Sequence, residues 1–227
     1  MFADRTEAGR ALGRAVAQRR REGEDMVVLG LARGGVTVAA EVARELGAPL
    51  DVLVVRKLGV PGHRELAMGA LAAGSIVRNE DVLASLGIDE ATLTRVVAEE
   101  QQVADQREQQ YRGVRPSVAL AGRTAVVVDD GLATGATARA AVRALRHRET
   151  DRPARVVLAV PVAPRDTLAV LSRDVDEVVC LQVPEPFYAV GEWYRDFSQV
   201  SDAEVRQVLA AQGADSSGNP MSGPSTG

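Results

Sequence analysis

Residues 125–137 read Ala-Val-Val-Val-Asp-Asp-Gly-Leu-Ala-Thr-Gly-Ala-Thr, and this order of residue types points to one kind of chemistry. An apolar run ends in two adjacent carboxylates, Asp129 and Asp130, and a glycine- and threonine-rich loop then opens a helix. Gly131 and Gly135 let the main chain turn tightly and approach a ligand. Successive amides of Ala133, Thr134, Gly135, Ala136 and Thr137, with the two threonine hydroxyls, make a cradle for a phosphate. A helix dipole adds only ~0.3–1 kcal/mol for an anion, rising to ~2 where partly buried, so the amide hydrogen bonds must supply the rest. Carboxylates repel phosphate, so Asp129 and Asp130 must face another part of the same molecule. A vicinal diol fits, because a carboxylate accepts from its hydroxyls, and the pair can also hold a hydrated magnesium ion. A phosphate cradle beside a diol reader implies a ribose 5-phosphate.

The elements that must position this segment follow from periodicity. Residues 26–31 and 124–128 are short continuous apolar runs, the pattern of strands covered on both faces. Residues 50–55, 155–160 and 177–183 read the same way. Helical patterns occupy about 4–22, 34–46, 135–148, 165–172 and 201–211. Residues 67–79, broken at Gly74-Ser75, read as a hairpin, and 59–65 as a loop between strands. A long charged helix is expected over 89–112, with Leu93, Val96, Val97, Val103 and Tyr111 as a weak apolar stripe, lying across the core or serving as a dimerising arm. Strand and helix alternate, so the expected fold is α/β, a mostly parallel central sheet with helices on both faces.

Composition narrows the setting. The 227 residues are 46% hydrophobic, enough for one sizeable core, and the formal charge of -4 leaves no basic footprint for a nucleic-acid partner. The single Cys180 lies in an apolar run, where a buried inert thiol is the simplest reading. No stretch approaches ~18 uninterrupted apolar residues, so no membrane span is expected. The arginine-studded first helix does not read as a secretory leader, and a cytoplasmic location is expected. One domain is expected over 1–212, with about 57–120 as an insertion and 184–200 as an appendage. The Gly-, Ser- and Pro-rich residues 213–227 are expected to be a disordered tail.

The 125–137 segment resembles the phosphoribosyl pyrophosphate (PRPP) motif of type I phosphoribosyltransferases. That family often carries two threonines before the loop glycine, and Ala133 replaces the first, which removes a hydroxyl but no backbone donor. The resemblance implies that Asp129 and Asp130 contact the ribose hydroxyls, directly or with Mg2+ held through water, and that Gly131 and 133–137 hold the 5-phosphate. The turn Ala32-Arg33-Gly34-Gly35 is similar to the family's pyrophosphate loop, and Arg56-Lys57 to the basic pair after its second strand. Arg33, Gly34, Arg56 and Lys57 are therefore expected at pyrophosphate. Lys57 is the only lysine in the chain, and a compact ammonium suits a leaving pyrophosphate. The family places a mobile flap near 59–65, where His63 and Glu65 stand as acid-base groups or acceptor contacts.

Five of the chain's seven Phe, Trp and Tyr residues lie between Phe187 and Phe197 and form the last cluster. They are either a mini-core pinning the final helix or a hood in which Phe187, Tyr188 and Trp193 stack on a planar acceptor. With the Arg-Gly-Gly turn, the Glu-Leu-Ala-Met-Gly segment and this aromatic tail, residues 1–210 resemble bacterial phosphoribosyltransferase-domain proteins of unassigned substrate. The implied activity is Mg2+-dependent transfer of a phosphoribosyl group from PRPP to a nitrogen acceptor, by an enzyme whose partners are small molecules and a second copy in a homodimer. The alternatives are a non-catalytic PRPP- or nucleotide-responsive regulator and, less directly, a hydrolase on the same scaffold.

Overall fold

A computed structural model describes residues 1–215. Its elements in chain order are α1 (Arg5–Ala17), β1 (Met26–Leu31), α2 (Gly34–Leu46), β2 (Leu50–Leu53), β3 (Val55–Val60), β4 (His63–Ala72), β5 (Ser75–Arg78), α3 (Glu80–Ser85), α4 (Glu90–Arg112), β6 (Thr124–Val128), α5 (Ala136–Arg146), β7 (Arg155–Val162), α6 (Arg165–Leu171), β8 (Glu177–Gln182) and α7 (Asp202–Asp215). Five strands form a parallel sheet in the order β2-β1-β6-β7-β8.

The period-two geometry of these strands divides the core between the two faces of the sheet. Val28, Val126 and Val128 pack with Leu12 and Val16 of α1, Val36 and Val42 of α2, and Val205 and Leu209 of α7. Val27, Leu29, Ala125 and Val127 face the other way, against Ala138, Ala141, Val142 and Leu145 of α5. Each such valine contributes on the order of 1.5–3 kcal/mol by leaving water, which is why β1 and β6 carry no polar alternation. The fold class expected from the sequence is the one observed, an α/β sheet with helices on both faces.

The register puts the site together. β1 and β6 are neighbours, with Gly30 opposite Val128, so the turn after Leu31 and the acid pair after Val128 emerge side by side. At the opposite end of the sheet Arg155 bridges Glu24 and Glu177, a tie between strand starts away from that edge.

The region after β2 departs from expectation. The strand expected over 50–55 ends at Leu53, and Val55 begins a separate antiparallel sheet, β3-β4-β5. Residues 59–65 are not a loop: Val60 pairs with His63 across Pro61-Gly62, a two-residue hairpin turn, and a bulge interrupts the ladder between Leu58 and Val60. The turn chemistry of Pro-Gly marks only these two residues, and the alternating exposure of Arg56, Lys57 and Leu58 is a strand pattern. The 67–79 hairpin is present as β4 and β5. The first helix ends at Ala17, five residues short of the expected 22, because Arg20 turns its guanidinium to the Glu24 and Leu46 carbonyls instead of extending the stripe. The long helix is α4, capped by Asp89 and packed on β3 and α7, and its buried face is Leu93, Val96, Ala104 and Tyr111 rather than one including Val103. The last helix runs through Gly213 to Asp215, so the expected tail does not begin at 213, and its remainder, 216–227, lies outside the described residues. No helix among the described residues is long and apolar enough to cross a membrane.

Candidate active site

The loop from Asp129 to Gly135 connects β6 to α5 and carries two different surfaces. On one side it presents the acid pair. Asp129 is half-buried, and its Oδ1 accepts from the Asp130 amide at 2.9 Å. Burial, and then the charge of Asp130, hold the Asp129 carboxyl well above the ordinary carboxylate range. Asp130 is also raised by burial, but the Arg5 guanidinium works against that rise. Arg5 Nε lies 2.8 Å from Asp130 Oδ2, with exposures of 10% and 15% that put the pair largely out of solvent.

On the other side the loop forms the start of α5. Thr134, Ala136 and Thr137 are exposed, no acid stands in the helix's first turn, and the first-turn amides have no carbonyl four residues back to bond. Thr167 of α6 fixes the loop from behind by donating to the Ala133 carbonyl at 2.7 Å. Gly135 sits at φ 70°, where a Cβ would meet Thr167 Cγ2 at 2.7 Å and Leu171 Cδ1 at 2.9 Å. Gly135→Ala is therefore expected to lose about 2 kcal/mol or more, from left-handed backbone strain plus overpacking. A lowered urea midpoint at unchanged m-value would show it; an unchanged midpoint would contradict the geometry.

The exposed cradle opens into a cleft of about 1010 Å³ between α5 and the β3–β5 sheet. Lys57 lines it together with Thr134, Gly135, Thr137, Arg78 and Arg139. The residues expected at pyrophosphate do not form one basic cluster. Lys57 faces the cradle's cleft, whereas Arg56, its neighbour on β3, points to α4 and pairs with Glu100 at 2.6 Å. Successive residues of a strand project to opposite faces, so a pair adjacent in sequence cannot share one ligand face here. Arg33 lies in the β1–α2 turn, where its Nη1 is 3.9 Å from Asp202 Oδ1. Asp202 also accepts from Tyr111 Oη at 2.7 Å, and burial with this bond pushes Tyr111 up to about 12. Gly34 lies directly against the acid pair, since a Cβ there would sit 2.0 Å from Asp130 Oδ2. Of the flap residues, His63 is exposed at the hairpin turn and Glu65 lies on β4.

The aromatic segment divides. Tyr188 is 77% exposed, Phe187 is half-buried, and Trp193 packs on a cluster of Phe2, Ala8 and Tyr194. This cluster pins the 190–197 segment to α1, not to α7 as the mini-core reading expected. Tyr194 Oη donates to the Asp130 carbonyl at 2.5 Å, and burial, with the nearby carboxylates, pushes this phenol upward so that it stays a donor. Cys180 is half-buried and its thiol, pushed up by burial, donates to the Gln182 carbonyl.

Two residues at the acid pair escaped the sequence reading, Arg5 and Tyr194. For Arg5 a signal existed: a cation in the first turn of a helix opposes the dipole, so an arginine there needs a partner elsewhere. Tyr194 was one of several aromatics with nothing to single it out.

The protein's parallel sheet with helices on both faces, and the β6–loop–α5 unit at its edge, define a phosphoribosyltransferase-type fold. The phosphoribosyl transferase domain family matches residues 2–62 and 64–196, and the chain belongs to that family. It is 49% identical over 210 residues to "Putative phosphoribosyl transferase Rv0571c" of Mycobacterium tuberculosis (strain H37Rv), a match that takes in 92% of this chain and 46% of that protein. The chain thus spans about half the length of the curated relatives it matches. The crystal structure of TT1426 from Thermus thermophilus superposes with a TM-score of 0.79 at 45% identity, covering 93% of this chain and 98% of that one.

Proposed function

We propose that the chain binds PRPP and transfers its phosphoribosyl group to a nitrogen acceptor, a nucleobase-like ring, with release of pyrophosphate. The observation that carries this reading is that one short loop presents two carboxylates on one side and, on the other, the exposed start of α5, whose first-turn amides suit a phosphate. A ribose 5-phosphate has the matching polarity along its length, a diol and a phosphate.

In the proposed reaction the bond from ribose C1 to pyrophosphate oxygen breaks, with its electron pair leaving on pyrophosphate. The acceptor nitrogen supplies the pair for the new C1–N bond, and its proton passes to solvent water or to the departing pyrophosphate. The chain's part is to hold both ends in line and to stabilise charge on the departing group. Thr134 to Thr137 fix the 5-phosphate with Lys57 across the same cleft, Asp129 and Asp130 orient the ribose, and Arg33 and Gly34, on the acid side of the loop, face the pyrophosphate. Phe187, Tyr188 and Trp193 are proposed to border the acceptor.

A magnesium ion suits these residues. Asp129 and Asp130 are adjacent, Arg5 offsets part of their charge, and among the described residues no cluster of three ligating side chains exists to cage a metal. Two carboxylates that leave most positions to water and substrate oxygens are a Mg2+ donor set. When bound there, the ion would neutralise pyrophosphate charge.

Calorimetric titration of PRPP, with and without magnesium, tests this directly. Saturable magnesium-dependent binding is expected, weakened about tenfold in Lys57→Ala through loss of one charged contact. Acceptor screening should then release pyrophosphate. Absence of PRPP binding would overturn the reading, and binding without pyrophosphate release for any acceptor would replace it with the regulatory one.

A further inference from the structure

We infer that Arg5 is a positioning residue that couples the acid pair to the 190–198 segment, so that filling the ribose site is transmitted to the acceptor side. This inference rests on the PRPP reading above. It concerns a residue 125 positions away from its partner in sequence, on an element that contributes nothing else to the site.

The geometry is a three-way tie. Arg5 Nε donates to Asp130 Oδ2 at 2.8 Å, Nη1 donates to the Ser198 carbonyl at 2.8 Å, and the guanidinium lies 4.0 Å from the centre of the Phe197 ring. One planar cation therefore grips the acid, a backbone carbonyl and an aromatic face at once, a use for which lysine has no equivalent. The same segment is bound a second time, through Tyr194 Oη on the Asp130 carbonyl. It is bound a third time to the residues just before α1. The Phe2 amide donates to Trp193 O at 2.7 Å, that of Arg195 to Phe2 O at 2.9 Å and that of Asp196 to Ala3 O at 2.9 Å. Phe197 and Tyr194 stack at 4.9 Å between ring centres, which links the Arg5 contact to the Tyr194 contact within the segment.

Nothing in the fold of the parallel sheet needs this tie. Asp130 is held in place by β6, and α1 is anchored on α2 through Gly9 and Gly13, whose Cβ positions would clash with Glu41 and Glu45. What Arg5 adds is contact between the acid pair and the segment that the proposed function sets at the acceptor. A ribose diol donating to Asp130 shares the carboxylate with Arg5 Nε, and any adjustment of the guanidinium reaches Phe197 and Ser198 through the other two contacts.

Trp193 provides the readout. It is the only tryptophan in the chain, it packs on the tied cluster, and its indole N–H is buried without a hydrogen-bond partner among the described residues. Its emission responds to small shifts in that surrounding. Titrating PRPP with magnesium into the full chain should change Trp193 fluorescence along the same isotherm that calorimetry gives. In Arg5→Met, PRPP should still bind calorimetrically, about tenfold weaker, while the fluorescence change is lost. Arg5→Lys, which keeps the charge but not the fork, should recover binding and not the fluorescence response. If Arg5→Met fails to fold, judged by circular dichroism, Phe197→Leu carries the test, since it removes the ring that Arg5 and Tyr194 both contact while leaving both Arg5 hydrogen bonds, and should silence the response at near wild-type affinity. A full fluorescence response in a folded Arg5 or Phe197 variant would overturn the coupling, as would PRPP binding to the wild type without any emission change. Absence of calorimetric binding to the wild type overturns the PRPP reading itself, a separate and recognisable result.

Discussion

Asp129→Asn is expected to abolish PRPP binding while raising the melting temperature. The two effects have one cause. Burial and the charge of Asp130 raise the Asp129 carboxyl well above the value it has in the unfolded chain. A carboxyl raised on folding favours the native state at low pH, and that contribution is lost as pH climbs from the ordinary carboxylate range through the raised folded value. At neutral pH an ionised Asp129 therefore opposes folding, and a neutral amide of the same shape removes the opposition. The gain should be about 1–2 kcal/mol, typical for relief at a functional site. Asp130→Asn should also lose binding, yet move stability the other way. Arg5, 10% exposed, would keep its burial and lose its carboxylate. Breaking a buried pair costs ~3–5 kcal/mol, and the remaining exposure reduces this to about 2–3. Thermal denaturation of both variants at pH 7, beside calorimetry with PRPP, checks the pattern. A lower melting temperature for Asp129→Asn would show that the pair is not held under mutual repulsion.

The second large effect is expected from a methyl group. In Gly34→Ala the new Cβ would lie 2.0 Å from Asp130 Oδ2 and 2.8 Å from its carboxyl carbon, so the carboxylate must turn aside. Displacing an orienting group by about 1 Å can cost on the order of 100-fold in rate, and a loss of that size in PRPP-dependent pyrophosphate release is expected. Gly122→Ala is the control. It meets nothing within 4 Å but has φ 74°, so it should lose about 1 kcal/mol of stability and no PRPP affinity. Equal losses of activity in the two variants would mean that general destabilisation, not the clash at Asp130, is responsible.

What the sequence could disclose followed the range of the interactions involved. The strand, acid pair, loop and helix of 124–146 are contiguous, and each boundary is set by residues within a turn of it, so this unit reads directly. The parallel sheet was equally legible, because strands buried on both faces have no polar alternation to confuse them. The 59–65 segment reads as a loop from Gly59, Pro61 and Gly62, whereas the turn takes only Pro61 and Gly62 and the residues on either side pair as β3 and β4. The adjacency of Arg56 and Lys57 suggested shared duty, and the pleat separates them. The first-turn position of Arg5 signals that it needs a partner but not which one: Asp130, Phe197 and Ser198 come from segments that only the finished fold brings together.

The pairing of residues 2–3 with 193–196 has a kinetic side. These amides are joined across almost the whole chain, so their closure waits until the sheet between them has formed. The segment should accordingly be the last to settle during folding and the first to open in the native state. In native-state hydrogen exchange, the amides of Phe2, Arg195 and Asp196 should exchange together, at one opening free energy well below that of β1 and β6. The part of the molecule proposed to meet the acceptor would then open more readily than the sheet behind the ribose site, and each opening would release the Arg5 and Tyr194 contacts at Asp130.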